Sequence, residues 1–544
     1  MSRTDWIILC STLLLVILYG FYKSRTTKDI QGYFLNNRSM PWYLVLFGIM
    51  GTQASAVTYL TGPGQSYTDG LRFVQYYFGL PVAMVVIAIF FVPIYNKLKV
   101  VTAYEFLEKR FDLRTRLLTS FLFLISRGLS TGISIYAPSL VLSSIMGWNI
   151  YFTNLVMGGV LIVYTLSGGA KAIAHTQKLQ MLVVFVALFI TGYLAVHLLP
   201  GTNGIKDALK MAGENGRVNI ITSGFTENGF NWKDKYNIWS GLIGGFFLAL
   251  SYFGTDHSQV GRYITASSVK ESRIGLLLNG FVKVPMQFFI LLLGILIFSF
   301  YQYHKAPVYF NDANKQLALS TSFAPTLNAI ETDYNEALQA GNHKQAASLQ
   351  QDYKATLQEA LPGVDVNDNN YIFLKFVMEY LPVGLTGLLF AVIFLSAWGS
   401  ISAALNSLAA CTMIDFHRRY FNKSGKLENE YRISKWYTLG WGIFSIIVAM
   451  FTQNVGSTLI EAVNVLGSIF YGVILGIFLV AFWMKRIGGK AVFISAIVSE
   501  IMVILIYKAD VISFLWLNAI GAIAVIILAT IIQLLIPGNK KKPQ

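Results

Sequence analysis

Cysteine, histidine and charge are all scarce in this chain, and each scarcity closes off a class of protein. The 544 residues include two cysteines and six histidines, and only 13% are charged. Cys10 and Cys411 fall in separate apolar runs, so neither a disulfide framework nor a zinc-binding spacing is available. The histidines are scattered without metal-ligand spacing. There is no phosphate-cradling glycine loop, no HExxH and no nucleophile elbow. With no nucleophile–base pair either, the chain does not read as an enzyme, and its short basic connections leave no place for the nucleotide site of a primary pump. The first apolar run, "WIILCSTLLLVILYGFY", has no small-residue cleavage site and leads into Lys23 and Arg25, which marks a retained helix rather than a signal peptide.

What the chain has in quantity is long apolar sequence: 55% of residues are hydrophobic and the mean hydropathy is +0.55. Runs of about 20 apolar residues cross a bilayer core as helices. Thirteen such spans are predicted, near 6–23, 42–66, 71–95, 117–147, 150–167, 175–199, 238–262, 274–301, 374–413, 433–453, 457–484, 490–508 and 511–536. The chain is therefore an all-α polytopic membrane protein. The connections "YNKLKVVTAYEFLEKRFDLRTR" and "DFHRRYFNKSGKLENEYRISK" carry six Lys/Arg each, and "FWMKRIGGK" and the tail "GNKKKPQ" are basic as well. An odd number of spans puts all of these on one side. The positive-inside rule makes that side cytoplasmic, with the N-terminus outside and the C-terminus inside. The net charge of +15 is thereby assigned to topology, with the lipid bilayer as partner and no nucleic acid.

The long connection 301–373 falls on the outer side, with eight Asp/Glu, four Lys and no Arg. Leu327, Ile330, Tyr334 and Leu338, then Ala346, Leu349, Tyr353 and Leu357 after "GNH", repeat at helical spacing and predict a helical hairpin. Its plainer role is a solvated lid. The N-x-S/T matches Asn37 and Asn422 lie on the predicted cytoplasmic side and should not be glycosylated. Short termini and outer loops without acceptor sites suit a bacterial inner (plasma) membrane.

Polar residues inside spans carry the functional signal. "GIMGTQASAVTYLTGPG" (48–64) interrupts an apolar run, and in lipid a broken helix is tolerated only where it faces protein or a watery cavity. Gly48, Gly51, Gly62, Pro63 and Gly64 weaken the helix. A break would free carbonyls near Gly51 and Ala54 for a small hard cation and turn Gln53, Ser55 and Thr58 to a solute. Close helix packing by small residues accounts for the glycines but not for Gln53. A second cluster is "SAWGSISAALNS" (396–407). Its serines either bond to their own helical carbonyls or supply the Ser400 hydroxyl and Ser396 carbonyl to the same cation; oxygen-only ligands suit sodium. Charged residues within spans are costly and usually face a partner or pathway. Lys283 lies near the middle of its span, Arg127 about a third of the way along another, and Lys178 near an inner end, within snorkelling reach of the interface. No acid is matched to Arg127 and Lys283 by sequence. Either an anionic solute supplies the charge, or Glu461, Glu500 or Asp256 does so through tertiary contacts.

Four stretches, "YFLNNRSMPWYLVLFGIMGTQASAVTYLTGPGQSYTDGL", "TAYEFLEKRF", "VYTLSGGAKA" and "LPVGLTGLLFAVIFLSAWGSISAALNS", together resemble the solute:sodium symporter family over roughly 30–300 and 374–490. "TGISIYAPSL" is nearest the iodide, monocarboxylate and multivitamin branch, beside that of the sugar carriers. The resemblance implies a LeuT-type core of two inverted five-helix repeats. A leading helix (1–30) precedes a first repeat (31–199). The second repeat starts in 200–300, is interrupted by the 301–373 loop and is completed by 374–487, and two trailing helices and the basic tail (488–544) follow. Such folds bind solute and ion near the midplane at broken helices and alternate access by rocking.

The resemblance further implies sodium as a transported ion, not a prosthetic group, held by carbonyls of Gly51, Ala54 and Ser396 and hydroxyls at 399 and 400. Ser400 fits, whereas Gly399 has no hydroxyl. Where the family tends to carry an aspartate after the Gly-Gly motif, this chain has Gln177, followed by Lys178. The galactose carriers' pocket maps onto Gln53, Thr58, Tyr77, Ala249, Tyr252, Lys283 and Val463, with Asn464 added to the solute side. The lysine and Tyr252, an inner gate in the family, are kept, but Tyr77 and Val463 replace polar residues that hold sugar hydroxyls. Each polar group left unpaired costs roughly 1–3 kcal/mol, which disfavours galactose, while Lys283 and Arg127 favour an anion.

The function expected is sodium-coupled symport of a small polar solute (a carboxylate, acidic sugar or polyol), with Arg127, Gln177 and Lys178 as coupling or gating residues. The alternative is a sodium-independent or proton-coupled carrier in which Lys178 stands where the ion would sit. A solute sensor, with the outer hairpin binding a partner, is a further alternative, but the chain has no output domain.

Overall fold

The computed structural model describes residues 1–24, 38–199, 204–420, 427–454 and 458–536. Asn37, Asn422 and the basic tail lie outside them. Among the described residues, strands are confined to Phe225–Thr226 and Gly229–Phe230, and ten helices are long and apolar enough to cross a membrane. The protein is an integral membrane protein.

Helix α1 (Arg3–Ser24) leads the chain. The next crossing is two helices, α2 (Trp42–Gln53) and α3 (Ala56–Asp69), because Ala54 (ψ 84°) and Ser55 (ψ 174°) leave helical geometry. After a 3-10 stretch Gly70–Tyr77, α4 runs over 80–98 with a π turn at Ile87–Phe91. Helix α5 (Leu113–Met146) starts where the Asp112 carboxylate accepts the Thr115 N–H at 2.8 Å.

Helix α6 (Ile150–His197) has 48 residues, which would measure about 72 Å if straight. It is not straight. The Tyr164 and Thr176 hydroxyls hydrogen-bond at 2.7 Å, whereas a straight helix would set them about 18 Å apart. The chain therefore folds back on itself, and its two legs are the two spans predicted at 150–167 and 175–199.

The span predicted at 238–262 is corrected: it too is broken. A π turn Ser240–Gly244 leads into α7 (Gly245–Thr255), the chain is extended at Asp256 (ψ 118°), and α8 (His257–Tyr263) follows. The Asp256 carboxylate accepts the Ser258 N–H at 2.7 Å and the Ser258 hydroxyl at 2.6 Å, so the break is an N-cap set inside an apolar run. Helix α9 (Val269–Tyr303) opens on Ser268, whose hydroxyl accepts the Glu271 N–H at 3.2 Å, while the Glu271 carboxylate takes the Trp42 N–H at the start of α2.

The lid holds α10 (Ala324–Gln339) and α11 (His343–Ala360) as a hairpin with its own core of Leu327, Tyr334, Tyr353 and Leu357. The span predicted at 374–413 is also corrected. Ile372–Tyr380 is a separate short helix, and Pro382 and Gly384 (φ 95°) turn the chain into α12 (Leu385–Cys411). Helices α13 (Leu427–Phe451), α14 (Leu459–Trp483), α15 (Gly489–Ala509) and α16 (Phe514–Leu535) complete the molecule.

Helix α12 is buried almost throughout and packs against α1, α2, α3, α5, α6 and α13. Asp5 of α1 fixes its first turn by accepting the N–H groups of Gly384 (2.7 Å) and Gly387 (3.2 Å). Helices α3 and α9 touch backbone to backbone, since a Cβ on Gly294 would stand 2.0 Å from Pro63 O. Helix α9 thus holds α3 by direct backbone contact, while at the second break the Ser258 N–H is satisfied by Asp256.

Candidate functional site

The α2–α3 break exposes particular carbonyls. In a continuous helix Gly51 O and Ala54 O would accept the N–H four residues on. Here the Ser55 N–H turns to Gln53 O (3.1 Å) and the Thr58 N–H to Ser55 O (3.0 Å). Helix α12 faces this break. On it, the Ser400 hydroxyl donates to Ser396 O (2.9 Å) and Ala397 O (3.2 Å), and the Ser396 hydroxyl to Val392 O (2.6 Å). Gly399 presents its carbonyl, which accepts Gln177 Nε2 at 3.0 Å; the same nitrogen donates to Thr52 Oγ1 at 3.2 Å. Gly51, Gln177 and Gly399 thus meet at one point, where α2 brings the Thr52 hydroxyl and α12 the Gly399 carbonyl. An oxygen-rich, thiol-free setting of this kind suits an alkali cation. Lys178 does not belong to it. The side chain is exposed and its Nζ lies 5.3 Å from the centre of the Tyr43 ring, two turns along α2 from Gly51.

On the solute side, Gln53, Tyr76, Tyr77, Ala249, Tyr252 and Phe253 line a cavity of about 20 Å³, room for a water but not for an organic solute. The conformation is closed around it. Lys283 is buried from α9, its Nζ 5.7 Å from the centre of the Tyr77 ring, with no hydrogen-bond partner among the described residues. Asn464 Oδ1 accepts the Tyr76 hydroxyl at 3.0 Å. Gln53 Oε1 is buried without a partner. Ser55 and Thr58 stand at the start of α3 and do not line this cavity.

For Arg127 the structure selects one of the acids the sequence offered. Arg127 pairs with Asp256 at the α7–α8 break, and Tyr471 of α14 joins both, at 2.9 Å from Arg127 Nη2 and 2.9 Å from Asp256 Oδ2. Tyr252 lies over the guanidinium (5.2 Å) and accepts Gln259 Nε2 at 2.6 Å. This cluster joins α5, α7, α8 and α14 on the side of the cavity nearer the basic connections. Asp256 and Tyr471 carry it as much as Arg127 does. Asp256 was one of three acids the sequence offered to Arg127, and nothing in the sequence singled out Tyr471.

The other side is closed by different contacts. The Thr458 hydroxyl donates to Gln65 Oε1 (2.8 Å), and the Leu459 N–H to Asn370 Oδ1 (3.2 Å). The lid lies directly on α3, because a Cβ on Gly64 would meet Asn369 O at 2.0 Å. Above these contacts opens a vestibule of about 820 Å³ lined by Tyr136, Trp148, Tyr151, Asn367, Tyr371 and Lys375 among others.

The model of the sodium:solute symporter family matches residues 33–330 and 349–499. The sodium/sialic acid symporter SiaT of Proteus mirabilis is 24% identical over 533 residues, 97% of this chain and 94% of that protein. The sodium/glucose cotransporter of Vibrio parahaemolyticus is 24% identical over 512 residues, 92% and 84% of the two chains. The rabbit sodium-dependent multivitamin transporter is 26% identical over 492 residues, 88% and 66%. Among solved structures, a Na⁺-coupled sialic acid symporter in a substrate-bound outward-open state superposes with a TM-score of 0.78 at 23% identity, covering 98% of each chain. That likeness establishes the fold as LeuT-type.

Proposed function

The chain belongs to the sodium:solute symporter family, and we propose that the solute it carries with sodium is a small carboxylate-bearing molecule, an acidic sugar foremost. It is a membrane transporter rather than an enzyme, and sodium is its transported ion. The observation that carries the reading of the solute is Lys283, a buried ammonium group without a hydrogen-bond partner among the described residues, beside the small cavity. A buried unpaired charge costs several kcal/mol, and a carboxylate on the solute is the group that answers it. Arg127 lends no support, since Asp256 already neutralises it. The sialic acid symporters among the relatives carry an acidic sugar by name, which agrees.

Sodium would be held by carbonyls of Gly51, Ala54 and Ser396 and by the Ser400 hydroxyl, with the Gly399 carbonyl in place of a missing hydroxyl. Each proposed repeat, 31–199 and 200–487, then begins with a broken crossing. Access alternates as two closures part in turn, Gln65–Thr458 with Asn370–Leu459 on the lid side, and Arg127–Asp256–Tyr471 under Tyr252 on the basic side. The basic side is cytoplasmic by the positive-inside rule, which places the N-terminus outside, in a bacterial plasma membrane. Lys178, exposed against Tyr43, offers no support to a proton-coupled mechanism.

The test is uptake into proteoliposomes of carboxylates, acidic sugars and neutral polyols, with and without an inward sodium gradient. Acids should accumulate only with the gradient, and Lys283→Ala should weaken their affinity about 10–100-fold, the worth of a hydrogen bond to a charged group. Accumulation of polyols but not of acids would refute the reading.

A further inference from the structure

Gln177 lies inside the proposed cation site rather than beside it. The side chain is buried on the second leg of α6 and bridges α2 and α12, donating from Nε2 to Gly399 O (3.0 Å) and Thr52 Oγ1 (3.2 Å). Its partners fix which end of the amide faces them. Gly399 O is a carbonyl and only accepts, and Thr52 Oγ1 has given its proton to Gly48 O at 2.7 Å, so the group between them is the NH2. Gln177 Oε1 is left buried without a partner.

Two glycines make the room. A Cβ on Gly51 would stand 2.9 Å from Gln177 Cγ; one on Gly399 would stand 3.3 Å from that atom and 2.5 Å from Gln180 Oε1. The side chain therefore fills the gap between the broken helix and α12 and aims both its N–H bonds at oxygens. One turn toward the basic side, the buried Arg262 guanidinium reaches Ala403 O (3.5 Å), and its Cδ lies 3.6 Å from a Cβ built on Gly48. No carboxylate pairs with it among the described residues, so its charge also weighs against a cation nearby.

We propose that the Gln177 carboxamide is a resident stand-in for the transported cation, its N–H groups occupying oxygen lone pairs between α2 and α12, and that sodium binds by displacing it. The inference rests on the sodium reading above and gives Gln177 the part of a competitor rather than a ligand. It makes the chain's sodium affinity low by construction, because two hydrogen bonds are broken before the ion is coordinated. It also keeps α2 and α12 joined when sodium has left.

The experiment needs no knowledge of the solute. Thermal unfolding of the purified full-length protein is followed as sodium chloride replaces choline chloride at constant ionic strength, for the wild type, Gln177→Ala, Gln177→Glu and Thr52→Val. Removing a net hydrogen bond is worth ~2–10-fold in an equilibrium, so the half-maximal sodium concentration should fall by that much in Gln177→Ala and in Thr52→Val. Gln177→Glu adds a negative charge and should lower it by at least tenfold, on the order of a charge-assisted contact. A half-maximal concentration that is unchanged or raised in Gln177→Ala overturns the inference alone. Absence of any sodium effect in all four proteins overturns the sodium reading and this inference with it.

Discussion

Two buried cations of the same apparent kind, Arg127 and Lys283, turn out to differ in what surrounds them. Arg127 has an acid partner 129 residues away in Asp256, a separation at which no helical spacing relates two residues. Sequence could name Asp256 only as one of three candidates. Removing one half of a buried pair leaves the other charge uncompensated, so Arg127→Ala should destabilise by ~3–5 kcal/mol in denaturant unfolding, and the double change Arg127→Ala, Asp256→Ala by distinctly less. A loss in the double variant equal to the sum of the losses in Arg127→Ala and Asp256→Ala would show that the pair is not coupled. Ser400 tests the ion at the same scale. Its hydroxyl is spent on Ser396 O and Ala397 O here, and a cation would take the oxygen's free lone pairs. Ser400→Ala should therefore reduce sodium stimulation of uptake several-fold, about the net value of one hydrogen bond, and an unchanged sodium dependence would displace the proposed site. Gln177 stood out in the sequence as a departure from its family, but Thr52 did not, because a helical threonine bonded to the carbonyl four residues back resembles any other.

At the scale of elements, one break was legible and one was not. Glycine and proline crowd 48–64, and both weaken a helix by known amounts. The second break sits in "GGFFLALSYFGTDHSQ", where the apolar run dominates the pattern and Asp256 passes for a stray charge instead of a cap. The two legs of α6 are legible as two spans, with Gly168, Gly169 and Lys171 between them. The merging of Ile372–Tyr380 with α12 came from apolar residues on both sides of Pro382, where a short apolar helix looks like more span. Close helix packing gives a prediction of its own. Gly294→Ala would set a methyl 2.0 Å from Pro63 O and should cost ~1–3 kcal/mol by overpacking. Gly159→Ala, whose methyl would meet nothing within 4 Å, should be neutral or stabilising by up to about 1 kcal/mol, since alanine is favoured over glycine inside a helix. Thermal unfolding of the two variants side by side checks the contrast.

For the whole molecule, the broken crossings α2–α3 and α7–α8 flank the proposed ion and solute sites, with one set of closing contacts toward the lid and another toward the basic face. The charge pattern and hydropathy made the membrane architecture and the lid hairpin legible, since both follow from period and sign along the chain. The closures were not, because Gln65–Thr458 and Arg127–Asp256–Tyr471 exist only once distant spans are packed. Coupling between solute and sodium is reciprocal by thermodynamic necessity. The most direct test therefore runs the cycle from the solute side. Proteoliposomes with equal sodium on both faces are given an inward gradient of the acid identified by the uptake screen, and radiosodium entry is followed. Sodium should be drawn inward against no gradient of its own, in proportion to the acid and much less in the Ser400→Ala variant; sodium entry indifferent to the acid would contradict the account.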